Sequence, residues 1–262
     1  MEAPGGPPGR VLAYARLVAE QVGESLGGRL RAAYLHGSAV LGGWSPESSD
    51  VDMLFVADDG AGGQALEAMA SALAAGRPAC PGTGLECSVV TVGQAARPGP
   101  PWPFLLHVAE TPGRSDLRIV VGDGHPGDPD LLMHYTVCRS AGWPVCGPGP
   151  LDLIGSVSRP TVLGYLADEL RWGIEHAAEA YAVLNACRAL IFLADGRIVS
   201  KVAGGRIALD RGLGPPAVLS RALDQRQGNA TERAVAPDAV AFVLAAAATL
   251  RSAGGAAVGS TG

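Results

Sequence analysis

The sequence predicts an α+β protein of two domains, an N-terminal mixed sheet with helices and a C-terminal all-α helical bundle. Three observations carry that prediction. Apolar strand-like segments alternate with helix-like ones in the first part of the chain. From Asp130 onward the apolar period is helical and stays so. Between them, Cys146 to Ser156 holds two prolines and three glycines, the mark of a break between elements.

Taken in order, Val11, Tyr14, Val18, Val22 and Leu26 recur at helical spacing and predict an amphipathic helix over 9–26. Leu30 to His36 alternates and runs into Gly37-Ser38, a strand ending in a turn. Asp50 to Ala57 is a second strand, 64–75 an Ala/Leu-rich helix, and Glu86 to Val92 a third strand. A Pro/Gly-rich loop covers 97–103, and Ile119 to Val121 is one more short strand. Helices are expected near 130–141, 160–173, 175–195, 215–226 and 236–252. At 262 residues there is chain enough for two modest cores. The expected divisions are 1–157 for the sheet domain, 158–253 for the helical domain and 254–262 for a flexible tail.

Composition excludes several function classes. Apolar residues make up 48% of the chain, yet no apolar run reaches the length of a membrane span. The N-terminal MEAPGGPPGR has neither a cationic leader nor an apolar signal core, so the expected location is the cytoplasm. Net charge is -5 and Lys201 is the sole lysine, so the basic stripe of a nucleic-acid binder is missing and a small cationic ligand suits the chain better. A monomer is expected. Cys80, Cys87, Cys138, Cys146 and Cys187 are odd in number and irregularly spaced, and read as small apolar residues.

The chemistry is concentrated in Gly37-Ser38, an eleven-residue gap, and Asp50-Val51-Asp52, with Glu86 opening a later strand. Alternate residues of a strand share a face, so Asp50 and Asp52 set two carboxylates side by side, a site for a hard cation such as Mg²⁺. Nucleotidyl transfer needs such a cation against the triphosphate. Gly37 permits a tight turn and Ser38 offers a hydroxyl and an amide, so this pair is expected to hold phosphate. Glu86, facing the same cation, is the expected general base for an alcohol nucleophile. A Gly-Ser turn or a capped Asp-x-Asp is usually structural when alone. Their combination with a third acid favours catalysis.

These residues resemble a known family. LHGSAVLGGWSPESSDVDMLFV looks like the signature of the nucleotidyltransferase superfamily that shares the DNA polymerase beta fold, in which Gly-Ser precedes Asp-x-Asp by a similar gap. Within it the sequence is similar to the aminoglycoside 3''/9 adenylyltransferases, which act on streptomycin and spectinomycin. The similarity extends through LECSVVTV, DPDLLMHYTVCRSAGWPVCGPGPLDLIGSV and LNACRALIFLADGRIVSKVAGGRIALD, and so through both domains. It implies metal-binding aspartates at Asp50 and Asp52, a phosphate-loop serine at Ser38 and a catalytic base at Glu86. It also implies triphosphate-binding cations at Arg188 and Lys201, ATP as co-substrate, and binding in a cleft between the domains. An arginine in an apolar helix is costly unless it reaches an anion, which agrees with that role for Arg188.

The resemblance further implies that acids at the start of the long helix, Glu175 and Glu179, meet substrate ammonium groups, although a solvated helix face explains them equally well. In the Pro/Gly-rich segment 93–114 no tryptophan aligns with the one streptomycin-modifying relatives use, and Trp102 sits out of register. Streptomycin and spectinomycin therefore both stay open. So do a same-fold enzyme with another acceptor, either a biosynthetic intermediate or a protein, and a catalytically silent nucleotide-binding module. His107, His125, His134 and His176 lack metal-ligand spacing and read as structural, while His36 borders the phosphate loop.

Overall fold

A computed structural model describes residues 6–110, 117–231 and 234–258 of the chain. It divides into two compact units, one ending at Val157 and one beginning at Ser158.

The first unit is built on six strands: β1 (Leu30–Leu35), β2 (Val51–Ala57), β3 (Leu85–Thr91), β4 (Leu106–Glu110), β5 (Leu117–Val121) and β6 (Trp143–Cys146). They lie in the order β5-β4-β3-β2-β1-β6, with β2 and β3 parallel and every other pair antiparallel. The helices are α1 (Gly9–Ser25), α2 (Gln64–Gly76), α3 (Val92–Ala96), α4 (Leu131–Ala141) and α5 (Pro150–Leu153). Val11, Val18 and Val22 of α1 and Leu66, Met69 and Leu73 of α2 pack in one core with Met53, Phe55 and Val89 of the sheet. Each such side chain contributes about 2 kcal/mol by leaving water. Because strand side chains alternate, Asp52, Leu54 and Val56 point to the opposite face. That face carries the acids.

Two strands exceed what the sequence predicts. β4 falls where LLHVAE follows a proline loop, and His107 breaks its apolar alternation. β6 contains Pro144, which is tolerated because β6 is an edge strand and one of its sides needs no donor.

The second unit contains α6 (Arg159–His176), α7 (Glu179–Asp195), α8 (Lys201–Asp210), α9 (Pro216–Arg226) and α10 (Pro237–Val258). Leu163, Ala167 and Leu170 of α6, Val183, Leu184 and Cys187 of α7, Leu219 of α9 and Val243 and Leu250 of α10 form its core. Three expectations are corrected here. The chain breaks at Ala177 and Ala178, so Glu175 lies at the end of α6 and only Glu179 opens α7. Lys201 begins a helix, with Ser200 accepting the Ala203 amide as its N-cap, in a stretch where no helix is expected from the sequence. The expected tail at 254–262 is helical through Val258, since the alanines there favour helix continuation, and 259–262 lie outside the described residues. Residues 111–114 of the Pro/Gly-rich segment also lie outside them. No helix among the described residues is long and apolar enough to cross a membrane.

Candidate active site

β1 ends at Leu35, and the chain turns at His36 into a single 3-10 turn over Gly37–Ala39. Gly37 has φ of 62°, and a Cβ at this position would overlap the Asp52 carboxylate. Glycine is therefore required by conformation and by the close approach of Asp52 together. The His36 amide donates to the Asp52 carbonyl at 3.1 Å, which ties the turn to the start of β2. Ser38 Oγ is buried without a hydrogen-bond partner. A buried hydroxyl in that state is poised to take a ligand oxygen, because leaving it unmet costs about 1–3 kcal/mol.

Parallel pairing sets Asp52 directly across from Glu86. Asp50 precedes β2 by one residue and lies on the Asp52 side of the strand. One carboxylate oxygen from each of Asp50, Asp52 and Glu86 lies within 4.8 Å of the others, and all three side chains are half-buried. Like charges this close call for a counter-charge or a retained proton, and three oxygen donors suit a hard divalent cation. The donor set and the orphaned Ser38 hydroxyl thus fit Mg²⁺ with phosphate. Burial, then Asp50, Asp130 and Asp128, push the Glu86 carboxyl up to about 7.

Asp128, Asp130 and His134 escaped the sequence reading. Asp128 accepts the Asp130 amide at 3.0 Å, and its own amide donates to the Trp102 carbonyl at 2.9 Å. Asp-Pro-Asp before a helix reads as a cap, so this pattern gave no separate signal of a site. His134 Nε2 lies 3.9 Å from Glu86 Oε1, and its ring stacks at a tilt 4.7 Å from that of His36. Burial depresses both imidazoles, and His36 is only 3% exposed. One turn of α4 beyond His134, buried Cys138 feels the Asp52 charge, so α4 covers the acid-bearing face.

In the helical unit, Arg188 Nε donates to the Val199 carbonyl at 2.8 Å and its Nη1 to Asn185 Oδ1 at 3.1 Å. Lys201 Nζ sits 4.7 Å above the Tyr181 ring. Glu175 is exposed. Glu179 is fully buried, and its carboxylate accepts from Arg221 Nε at 2.7 Å, Gln225 Nε2 at 3.3 Å and the Ala236 amide at 2.9 Å. Those bonds commit Glu179 to joining α7, α9 and the approach to α10. The expectation that it meets substrate is corrected accordingly.

Among solved structures, the chain is similar to spectinomycin adenyltransferase AAD(9) from Enterococcus faecialis, determined with ATP and spectinomycin. The two share 16% identity with a TM-score of 0.63, over 93% of this chain and 98% of that one. That likeness shows a common fold, a mixed-sheet domain followed by a helical domain. No curated protein sequence matches the chain. The family model described as "Aminoglycoside adenylyltransferase, C-terminal domain" matches residues 161–249. That match lies wholly within the helical unit and shows the likeness of this unit to the C-terminal domain of those enzymes.

Proposed function

We propose that the chain transfers AMP from ATP to a hydroxyl of an aminocyclitol antibiotic of the spectinomycin or streptomycin class, and so confers resistance to it. The observation that carries this reading is the cluster of Asp50, Asp52 and Glu86 beside the orphaned Ser38 hydroxyl. Asp50, Asp52 and Glu86 would hold Mg²⁺, which when bound neutralises charge on the triphosphate. Gly37 and Ser38 would receive phosphate oxygens, and in the helical unit Arg188 and Lys201 are proposed as nucleotide-binding residues.

Glu86 acts as the general base. The acceptor oxygen bonds to the α-phosphorus as the bond from that phosphorus to the bridging oxygen breaks. Pyrophosphate leaves with the electron pair, and Glu86 takes the hydroxyl proton. Glu86, Asp128 and Asp130 keep the surroundings acidic, which favours a cationic acceptor over a neutral one. Exposed Glu175 is a further candidate for an ammonium group of that acceptor; Glu179 is not.

The test is incubation with ATP, Mg²⁺ and a panel of aminocyclitols, read by mass spectrometry. The expected result is a gain of one AMP on a panel member with release of pyrophosphate. Pyrophosphate release only with a non-antibiotic hydroxyl acceptor would transfer the chemistry to another substrate, and no nucleotide turnover with any acceptor would refute it.

A further inference from the structure

Asp50 raises a structural problem that the strands do not solve. β2 begins at Val51, and its pairing with β1 ends at Met53 opposite Leu35, so the Asp50 carbonyl, on the same side as that of Asp52, has no partner strand. Its carboxylate must nevertheless stay within 4.8 Å of Asp52 and Glu86. A residue one step before a strand ordinarily frays with the loop it belongs to.

The segment 40–50 is pinned from two sides. Ser49 is buried, its amide donates to the Ser45 carbonyl at 2.9 Å, and its Oγ accepts the Ser45 amide at 3.1 Å. The Thr83 amide donates to the Ser49 carbonyl at 2.9 Å, and Gly82 packs so closely that a Cβ there would strike this carbonyl. On the other side the indole Nε1 of Trp44 donates to the Asp50 carbonyl at 3.0 Å. The indole is itself held. It packs against the core of the sheet unit, the Arg10 guanidinium of α1 lies 4.8 Å from its ring centroid, and a Cβ on Gly82 would sit 3.3 Å from its Cζ2. Trp44 is thus a rigid donor anchored to α1 and to the sheet core, aimed at a carbonyl on the β1 side of β2, one alternation before the Asp52 carbonyl that the His36 amide takes.

We propose that Trp44 is a positioning residue for the cation site. Its N–H fixes the Asp50 carbonyl, and through the short backbone connection it holds the Asp50 carboxylate opposite Asp52 and Glu86. The indole supplies the bond that β1, which ends at Leu35, does not reach far enough to give. This inference rests on the reading of the three carboxylates as a cation site, and it predicts an effect on cation binding without any nucleotide or acceptor present.

The experiment measures Mn²⁺ binding to the nucleotide-free protein by electron paramagnetic resonance, with Mn²⁺ as a hard-cation probe. Trp44→Phe keeps a ring in the packing and removes the donor. Its Kd for Mn²⁺ should rise about 3- to 10-fold, the loss of one well-formed hydrogen bond. In turnover assays the Mg²⁺ requirement should rise by a similar factor, with kcat at saturating Mg²⁺ nearly retained. Arg10→Ala is the control for general loosening, since it removes the stacked cation and leaves the N–H in place. It should lower the melting temperature and move the Mn²⁺ affinity much less than Trp44→Phe does, because the N–H still reaches the Asp50 carbonyl.

Asp52→Asn separates this idea from the reading beneath it. If Asp52→Asn abolishes Mn²⁺ binding while Trp44→Phe binds as wild type does, the positioning role is overturned and the cation site stands. If Arg10→Ala weakens Mn²⁺ binding as much as Trp44→Phe, the effect is loss of packing and the positioning role is again overturned. If Asp52→Asn binds Mn²⁺ normally, the cation site itself is wrong.

Discussion

Replacing Glu86 with glutamine should stabilise the cation-free protein at high pH while disabling it as an enzyme. The Glu86 carboxyl is pushed up to about 7 by burial and by Asp50, Asp130 and Asp128. A raised pKa means that the folded state holds the proton more tightly than the unfolded chain does. The group's stabilising contribution is therefore complete below the ordinary carboxylate range, and it is lost as pH rises through about 7. A rise of roughly 2.5 pH units corresponds to about 3 kcal/mol at ~1.4 kcal/mol per unit. The side chain is 33% exposed, so solvent screening brings the expected effect down to about 1–2 kcal/mol.

Glutamine mimics the protonated acid at every pH. In EDTA at pH 5 the variant and wild type should melt together by scanning calorimetry. At pH 8.5 the transition of the sheet unit should lie a few degrees higher in Glu86→Gln. Saturating Mg²⁺ should reverse the order, because the variant has lost a ligand oxygen's charge, and turnover should fall by ~100-fold or more with the base removed. A stability difference that is the same at pH 5 and pH 8.5 in EDTA would refute the electrostatic reasoning.

Two further substitutions probe the frame around the site. Gly37→Ala forces a side chain into a left-handed conformation, at a cost of about 1–2 kcal/mol, and pushes it into the Asp52 carboxylate. Turnover should drop on the order of 100-fold through misplacement of Asp52, as read by steady-state kinetics, and near-normal kinetics would remove Asp52's crowding from the account. Glu179→Gln should lower the stability of the helical unit by about 3 kcal/mol, because Arg221 and the Ala236 amide lose a buried charged acceptor. Calorimetry tests this, and an unchanged melt with weakened antibiotic binding would restore Glu179 to the substrate.

The residues whose placement was legible in the sequence are those whose local pattern alone dictates their geometry. Asp50 and Asp52 share a face because strands alternate, and Gly37-Ser38 must turn because a glycine ends an apolar run. Glu86 was legible only as the first residue of a strand. That it pairs across from Asp52 depends on a parallel connection that no local pattern encodes. Asp128, Asp130 and His134 reach the acids by tertiary packing of α4, and their own sequence context reads as a helix cap and a buried helix face. Glu179 misled for the converse reason. An acid in the first turn of a helix is usually solvated, and only the distant Arg221, Gln225 and Ala236 reveal that it is enclosed. β6 hid behind its proline, which argues against a strand everywhere except at a sheet edge.

The acid face links stability to function. Asp50, Asp128 and Asp130 all raise the Glu86 carboxyl, so without a cation this end of the sheet carries unbalanced negative charge. The repulsion is contained because the sheet fixes Glu86 beside Asp52, the Gly37 turn leaves space for the Asp52 carboxylate, and Trp44 holds Asp50 from outside the ladder. A cation that binds only the folded chain relieves that repulsion, so its binding energy includes the strain the apo protein carries. The acids that attract the cation also lower the energy of a cationic acceptor nearby, while Glu86, kept basic by them, has the proton affinity that a general base at neutral pH requires. In the proposed mechanism one electrostatic feature would serve cation binding, acceptor preference and proton abstraction. Neutralising any single acid in the cluster should shift all three properties together, whereas acids that acted independently would shift one and leave the others unchanged.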